Sequence, residues 1–227
     1  MKNKKSVIDL YQNITRTYLA EQKRFFTKHP DAARIFLYAA VPTPHHFGQR
    51  LLDIGCGNGQ DVEYFTALGY QAWGIDISPK MIEVAKEKVA QPERILQGNF
   101  LTTRSLPFDT FDAVFTRFVL HYQTDIDAAY RQIAKFLKPN GLFAAVVSHP
   151  LADAKYAKPA HRGQPRMVHF QLYAGKVTVI YPAHTLAEYL SPTFFKLFQV
   201  EQVGLEPVAA REDKKIPGYL GIVARKK

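Results

Sequence analysis

The chain has 227 residues, 47% of them apolar, one cysteine and a formal net charge of +10. Apolar residues run along its whole length, which excludes wholesale disorder, and a lone Cys56 excludes an intramolecular disulfide or a cysteine-based metal cluster. Nine Lys and Arg face three Asp and Glu in residues 1–50, nine face eleven in 51–150 and twelve face six in 151–227, so the basic flanks suit nucleic acid, an anionic surface, an acidic substrate or plain solvation.

Met1-Lys2-Asn3-Lys4-Lys5 leads into a helical pattern rather than an apolar signal core, and no run of about 18 apolar residues follows, so no membrane span is expected and the cytoplasm is the expected location. Val7, Leu10, Tyr11, Ile14 and Tyr18 recur at helical spacing, predicting an amphipathic helix over 6–28. Pro30-Asp31 opens a second helix with Asp31 as its cap, and Pro42 and Pro44 end it.

From Arg50 onward, short apolar runs alternate with helix patterns: Leu51 to Ile54, Ala72 to Ile75, Ile95 to Gln97, Ala113 to Phe115 and Leu142 to Val147. Strands separated by helices imply parallel βαβ units with right-handed crossovers. Gly69 follows the first of these helices, Ser78-Pro79 opens the next, Thr124 is the expected cap of a third and Pro139-Asn140-Gly141 its close. After His149-Pro150 the sequence turns polar. Met167 to Tyr173 and Lys176 to Tyr181 then alternate around Ala174-Gly175 as a β-hairpin, and Thr185-Leu186-Ala187-Glu188 fits a capping box for a helix over 186–190. Ser191-Pro192 restarts a helix through Phe198, and Gln199 to Val203 and Tyr219 to Arg225 read as closing strands.

Strand Leu51 to Ile54 runs into Gly55-Cys56-Gly57-Asn58-Gly59 and then a helix, the geometry in which a ligand approaches backbone amides at a helix N-terminus. The dinucleotide fingerprint needs its third glycine where Gln60 stands, and a phosphate-binding Walker loop needs a Gly-Lys-Ser or Gly-Lys-Thr that is absent. Asp53 before the turn repels phosphate but suits an ammonium and a sulfonium, which favours S-adenosylmethionine. Asp76 ends the second strand, where an acid accepts both hydroxyls of an adenosine ribose.

Leu51 to Gly59, Gly74 to Ser78, Phe111 to Phe115 and Leu137 to Gly141 resemble, in order and spacing, the successive motifs of class I S-adenosylmethionine-dependent methyltransferases. The His-Pro strand end, hairpin and following helix are similar to a bacterial small-molecule branch, of methyltransferase type 11. The resemblance implies an α/β, three-layer Rossmann-like fold: a seven-stranded, mostly parallel sheet with its last strand antiparallel. The expected plan is one domain over 1–227, divided into a helical cap (1–48), a cofactor-binding core (49–150), a lid or hairpin insert after strand 5 (151–184) and closing helices and strands (185–227).

The resemblance further implies that Gly55, Gly57 and Gly59 line the methionine part of the cofactor, with Cys56, Asp53 and Arg117 in the same site. Asp76 is assigned to the ribose, Ile77 and Met81 to the adenine faces. Asn99 stands where an acid usually accepts the adenine amine and must use its amide oxygen, beside a stacking Phe100. Asn140 replaces a glycine and tolerates a left-handed backbone.

Methyl transfer from a sulfonium proceeds by alignment and desolvation, so a base is optional. His149 at the fifth strand's end is the preferred base candidate, or else a hydrogen-bonded structural histidine; His121, after the fourth strand, shapes the pocket or acts as base. Tyr11, Tyr18, Tyr122, Tyr173, Tyr181 and His184 are the candidate substrate-pocket residues, each with core packing as its alternative. The eight histidines show no metal-ligand spacing. The expected activity is transfer of a methyl group to a small molecule, leaving S-adenosylhomocysteine, by a monomer or homodimer. An RNA methyltransferase using the basic flanks, and a non-catalytic S-adenosylmethionine-binding module, are the alternatives.

Overall fold

The computed structural model describes residues 7–158, 164–205 and 216–227, with side chains from residue 14 onward. Two helices come first, α1 (Val7–Phe26) and α2 (Ala32–Ala40). Asp31 caps α2 as its position before the apolar run predicts, its carboxylate accepting the Arg34 N–H at 3.0 Å.

The alternating segment follows as β1 (Arg50–Ile54), α3 (Gln60–Ala67), β2 (Gln71–Asp76), α4 (Pro79–Lys88), β3 (Ile95–Gln97) and β4 (Phe111–Arg117). A single 3-10 turn, Leu120–Tyr122, leads to α5 (Ile126–Phe136) and β5 (Leu137–Ser148). Asp125, not Thr124, caps α5: its side chain accepts the Ala128 N–H at 2.8 Å. Pro139-Asn140-Gly141 lies inside the extended segment of β5 rather than in a separate turn, and Asn140 holds φ at 59°.

The polar stretch after Pro150 is a helix, α6 (Pro150–Tyr156), and then a short strand, β6 (Ala157–Lys158). The hairpin is β7 (Met167–Leu172) and β8 (Val177–Pro182), turned through Tyr173, Ala174 and Gly175, all at positive φ. β6 adds to it, so the insert is a three-stranded sheet of its own. The capping box of Thr185 and Glu188 opens α7 (Leu186–Tyr189); α8 (Pro192–Leu197), β9 (Phe198–Leu205) and β10 (Tyr219–Lys226) follow.

The main sheet has seven strands in the order β3-β2-β1-β4-β5-β10-β9. Its first five strands pair in parallel, and β10 runs antiparallel to both neighbours. The period of two along the strands sends Leu52, Val114, Phe143 and Ala145 into one apolar layer and Leu51, Ala113, Phe115 and Ala144 into the other. Tyr130 of α5, Tyr189 of α7 and Phe194 of α8 complete the first layer; Leu37 of α2, Phe65 of α3 and Ala85 of α4 complete the second. Strand order reverses between β1 and β4, and the crevice beyond their carboxyl ends is where a doubly wound sheet binds its ligand.

Candidate functional site

A cavity of about 350 Å³ opens at that crevice. Its floor is the turn after β1. Gly55, Gly57 and Gly59 all have positive φ, and the Gly55 and Cys56 N–H groups donate to the Ile75 carbonyl at 2.7 and 3.2 Å. The three glycines then part company. Nothing lies within 4 Å of a Cβ built on Gly57, whereas one on Gly59 would meet Val89 at 2.9 Å and Ala85 at 3.1 Å. Gly57 faces the open cavity; Gly59 lets α3 seat against α4.

Asp76 closes the turn from the next strand. Its two carboxylate oxygens accept the Gly57 N–H at 2.9 Å and the Ser78 N–H at 2.8 Å. Burial lifts its pKa above the usual carboxylate value, and these N–H groups oppose the rise. Gly55, Cys56, Gly57, Asp76, Ile77 and Met81 all line the cavity. So do Asn99 and Phe100, yet the Asn99 side-chain oxygen already accepts the Leu101 N–H at 3.0 Å.

Asp53 sits behind the lining, 2% exposed, and its Oδ2 has no hydrogen-bond partner among the described residues. Burial, and then the charge of Asp61, pushes this carboxyl well above its usual range. Such an atom fits a cationic ligand.

Arg117, at the end of β4, lines the cavity within a network that joins the cap to the core. Its Nη1 lies 3.3 Å from Asp31 and its Nε 3.5 Å from Asp61. Asp61 also accepts from the Arg34 Nε at 2.7 Å and the Tyr38 hydroxyl at 2.6 Å. Burial disfavours the Arg117 charge, but Asp61 and Asp31 outweigh it and hold the guanidinium protonated. Asp61 likewise suffers burial but is brought below its usual pKa by Arg117 and Arg34.

The remaining wall combines Tyr18, Leu19 and Gln22 of α1 with Phe118, Val119, Tyr122 and Gln123 after β4. Tyr18 and Tyr122 therefore face the cavity, as their candidacy requires. Leu19, Gln22, Phe118, Val119 and Gln123 were not legible as site residues, because only the fold sets α1 across the end of β4. The Tyr11 side chain lies outside the described residues.

The other candidates stand apart from the lining. His149 caps α6, its Nδ1 accepting the Leu151 N–H at 3.2 Å, and burial lowers its pKa. His121 is buried with its Nδ1 unpartnered among the described residues, and burial, then the nearby His184, depresses its pKa to about 3. Its ring lies 4.5 Å from Tyr122 and 4.4 Å from Tyr181. The Tyr181 hydroxyl donates toward Ser148 at 2.9 Å or Asp153 at 3.1 Å, joining the insert to the sheet. Tyr173 meets the edge of Tyr18 at 5.9 Å. His184 is buried, with its Nδ1 3.6 Å from Glu188. No group of three or more potential metal ligands occurs among the described residues, and no described helix is long and apolar enough to cross a membrane.

Residues 52–145 match a methyltransferase domain family. An uncharacterized methyltransferase of Bacillus subtilis (strain 168) is 37% identical over 103 residues, 43% of this chain and 40% of that protein. A ubiquinone biosynthesis O-methyltransferase of Rhodopseudomonas palustris (strain BisA53) is 36% identical over 96 residues, 42% of this chain and 38% of its own. The chain thus spans about two-fifths of the length of these relatives. Among solved structures, an S-adenosylmethionine dependent methyltransferase from Mesorhizobium loti superposes with a TM-score of 0.65 at 23% identity, covering 86% of this chain and 98% of that one.

Proposed function

We propose that the chain, whose residues 52–145 match a methyltransferase domain family, binds S-adenosylmethionine in the β1–β4 crevice and methylates a small-molecule acceptor. The observation that carries the reading is the Asp76 carboxylate clasped by the Gly57 and Ser78 N–H groups on the cavity wall. Each oxygen keeps a lone pair for a ribose hydroxyl. Gly57 leaves its face clear, and Ile77, Met81 and Phe100 supply apolar contact for a base.

When bound, S-adenosylmethionine supplies an electrophilic methyl group, and transfer leaves S-adenosylhomocysteine. The chain's own task is to hold the acceptor in line and keep water out. Among the described lining residues there is no histidine. His149 is engaged as a helix cap, and His121 lies behind Tyr122 with its basicity suppressed, so neither is assigned as base. Transfer to a hydroxyl or N–H acceptor also releases one proton, and no lining residue is assigned to take it.

A small-molecule acceptor fits better than RNA because Tyr18, Leu19 and Gln22 of α1 line the same cavity as the glycine turn, enclosing a space of small-ligand size. The Rhodopseudomonas relative is named for an oxygen acceptor, but its match covers 42% of this chain. The acceptor atom must therefore be read from the walls. Incubating the chain with S-adenosylmethionine and a metabolite extract tests the reading: a metabolite gaining one methyl group alongside S-adenosylhomocysteine supports it, and tight cofactor binding without turnover favours a non-catalytic module.

A further inference from the structure

The acceptor end of the cavity is built from flat rings. Phe118 leaves β4 at φ 57°, a left-handed backbone that a bulky residue rarely adopts, held by its N–H donating to the Val146 carbonyl at 2.8 Å. The turn has a local reason: Val119 fills the space that a Cβ on Gly55 would need. Its result is that the Phe118 ring lines the cavity with Tyr18 and Tyr122.

These rings are braced from behind. His121 lies 6.1 Å from Phe118 and 4.5 Å from Tyr122, Tyr181 lies 5.7 Å from Tyr122, and Tyr173 lies 5.9 Å from Tyr18. Lining rings packed against other aromatics are preformed, so little ordering cost falls on the ligand.

Charge narrows the occupant. Among the described lining residues Arg117 is the cation, and its guanidinium is matched by Asp31 and Asp61. The other side-chain polar groups of the described lining at this end are the amides of Gln22 and Gln123 and the hydroxyls of Tyr18 and Tyr122, with the Gln22 Nε2 donating to the Tyr18 hydroxyl at 3.2 Å. An anionic acceptor would lose its water without gaining a free cation. An aromatic cage can also take a cation, but the carboxylate beside this one, Asp61, is already engaged by Arg34, Arg117 and the Tyr38 hydroxyl. About 350 Å³ is near the small end of ligand pockets, roughly 300–1,000 Å³, so an acceptor beside a nucleoside cofactor must be small.

Resting on the proposed cofactor reading, we infer that the acceptor is an uncharged, planar aromatic or heteroaromatic compound bearing a hydroxyl or ring N–H, with Phe118 selecting for flatness. Stacked or edge-on rings contribute beyond the area they bury, and only a planar partner collects that contribution from all three walls.

The test is calorimetric titration of the chain saturated with S-adenosylhomocysteine. The probes are 2-naphthol, its saturated analogue decahydro-2-naphthol, anionic 2-naphthoate and cationic 1-naphthylmethylammonium. The expected result is 2-naphthol binding about tenfold or more tighter than each of the others, with Phe118→Leu losing about tenfold for 2-naphthol while S-adenosylhomocysteine affinity changes little. Tyr122→Leu serves the same purpose if the Phe118 variant does not fold. Equal or tighter binding of the saturated or either charged probe, no binding of 2-naphthol, or an unchanged 2-naphthol affinity in the folded variant overturns the inference. The cofactor reading stands in those cases if S-adenosylhomocysteine binds, whereas failure of wild type to bind it overturns both.

Discussion

The Gly57 N–H donates to the Asp76 Oδ2 at 2.9 Å across nineteen positions of sequence. One strand's glycine turn and the next strand's last residue are thereby fixed as a single unit, and the cavity takes its shape from that unit.

The three glycines of the turn should separate by function when each is replaced by alanine. At Gly59, the added Cβ meets Val89 and Ala85 at 2.9 and 3.1 Å with φ at 74°, so Gly59→Ala should lower stability by about 1–3 kcal/mol, seen as a lower melting temperature. At Gly57 the Cβ enters open space, so Gly57→Ala should cost less stability and more S-adenosylhomocysteine affinity. The reverse pattern in paired melting and calorimetry experiments would reject this division.

Asp53 carries a carboxylate that burial penalises and that has an unpartnered oxygen among the described residues. Asp53→Asn should raise the stability of the ligand-free chain by about 1 kcal/mol near pH 8. It should weaken S-adenosylmethionine more than the uncharged-sulfur product, S-adenosylhomocysteine. Equal weakening of the two would remove the electrostatic role.

His121 predicts a pH dependence. Its pKa is depressed from 6.5 to about 3, so its contribution is fully present above about 6.5 and is lost as pH falls toward 3, because the unfolded chain takes a proton that the fold refuses. Between pH 6 and 5 the loss is about 1 kcal/mol. Chemical denaturation of His121→Asn should show a flatter profile than wild type across that interval. Parallel profiles would contradict the buried neutral imidazole.

Tyr181 bridges the insert to Ser148 and Asp153 through one hydroxyl. Tyr181→Phe should cost about 1–2 kcal/mol, since buried partners lose a donor. Limited proteolysis should then cut the insert sooner in the variant, and an unchanged cleavage rate would show that the hydroxyl does not hold it down.

Much of this architecture was legible in residues whose backbone demands are local. Gly55 and Gly57 at positive φ, Ser78-Pro79 at a helix start, the capping box of Thr185 and Glu188, and the short apolar runs of β1, β4 and β5 each follow from short-range geometry. The helix α6 is not legible because it has seven residues and a histidine cap, and the hydrogen bonds of its buried Asp153 to Ser148 and Tyr181 form only in the fold. The same capping contact shows why His149 looked like a base: its strand-end position was legible, but the turn of the chain that engages its ring was not. Arg117 was placed in the site, yet its pairing with Asp31 and Asp61 joins residues far apart in sequence, which no spacing rule reaches. Phe118 was hidden because a left-handed phenylalanine leaves no mark in composition or periodicity.

The central claim is that the crevice holds a nucleoside cofactor through Asp76, and titrating S-adenosylhomocysteine into wild type and Asp76→Ala tests it most directly. Wild type should bind one equivalent, and the variant should lose about 1–3 kcal/mol, roughly 5- to 150-fold in affinity, because a charge-assisted pair of hydrogen bonds is removed. No binding to the folded wild type, or equal affinity in the two, would contradict the account.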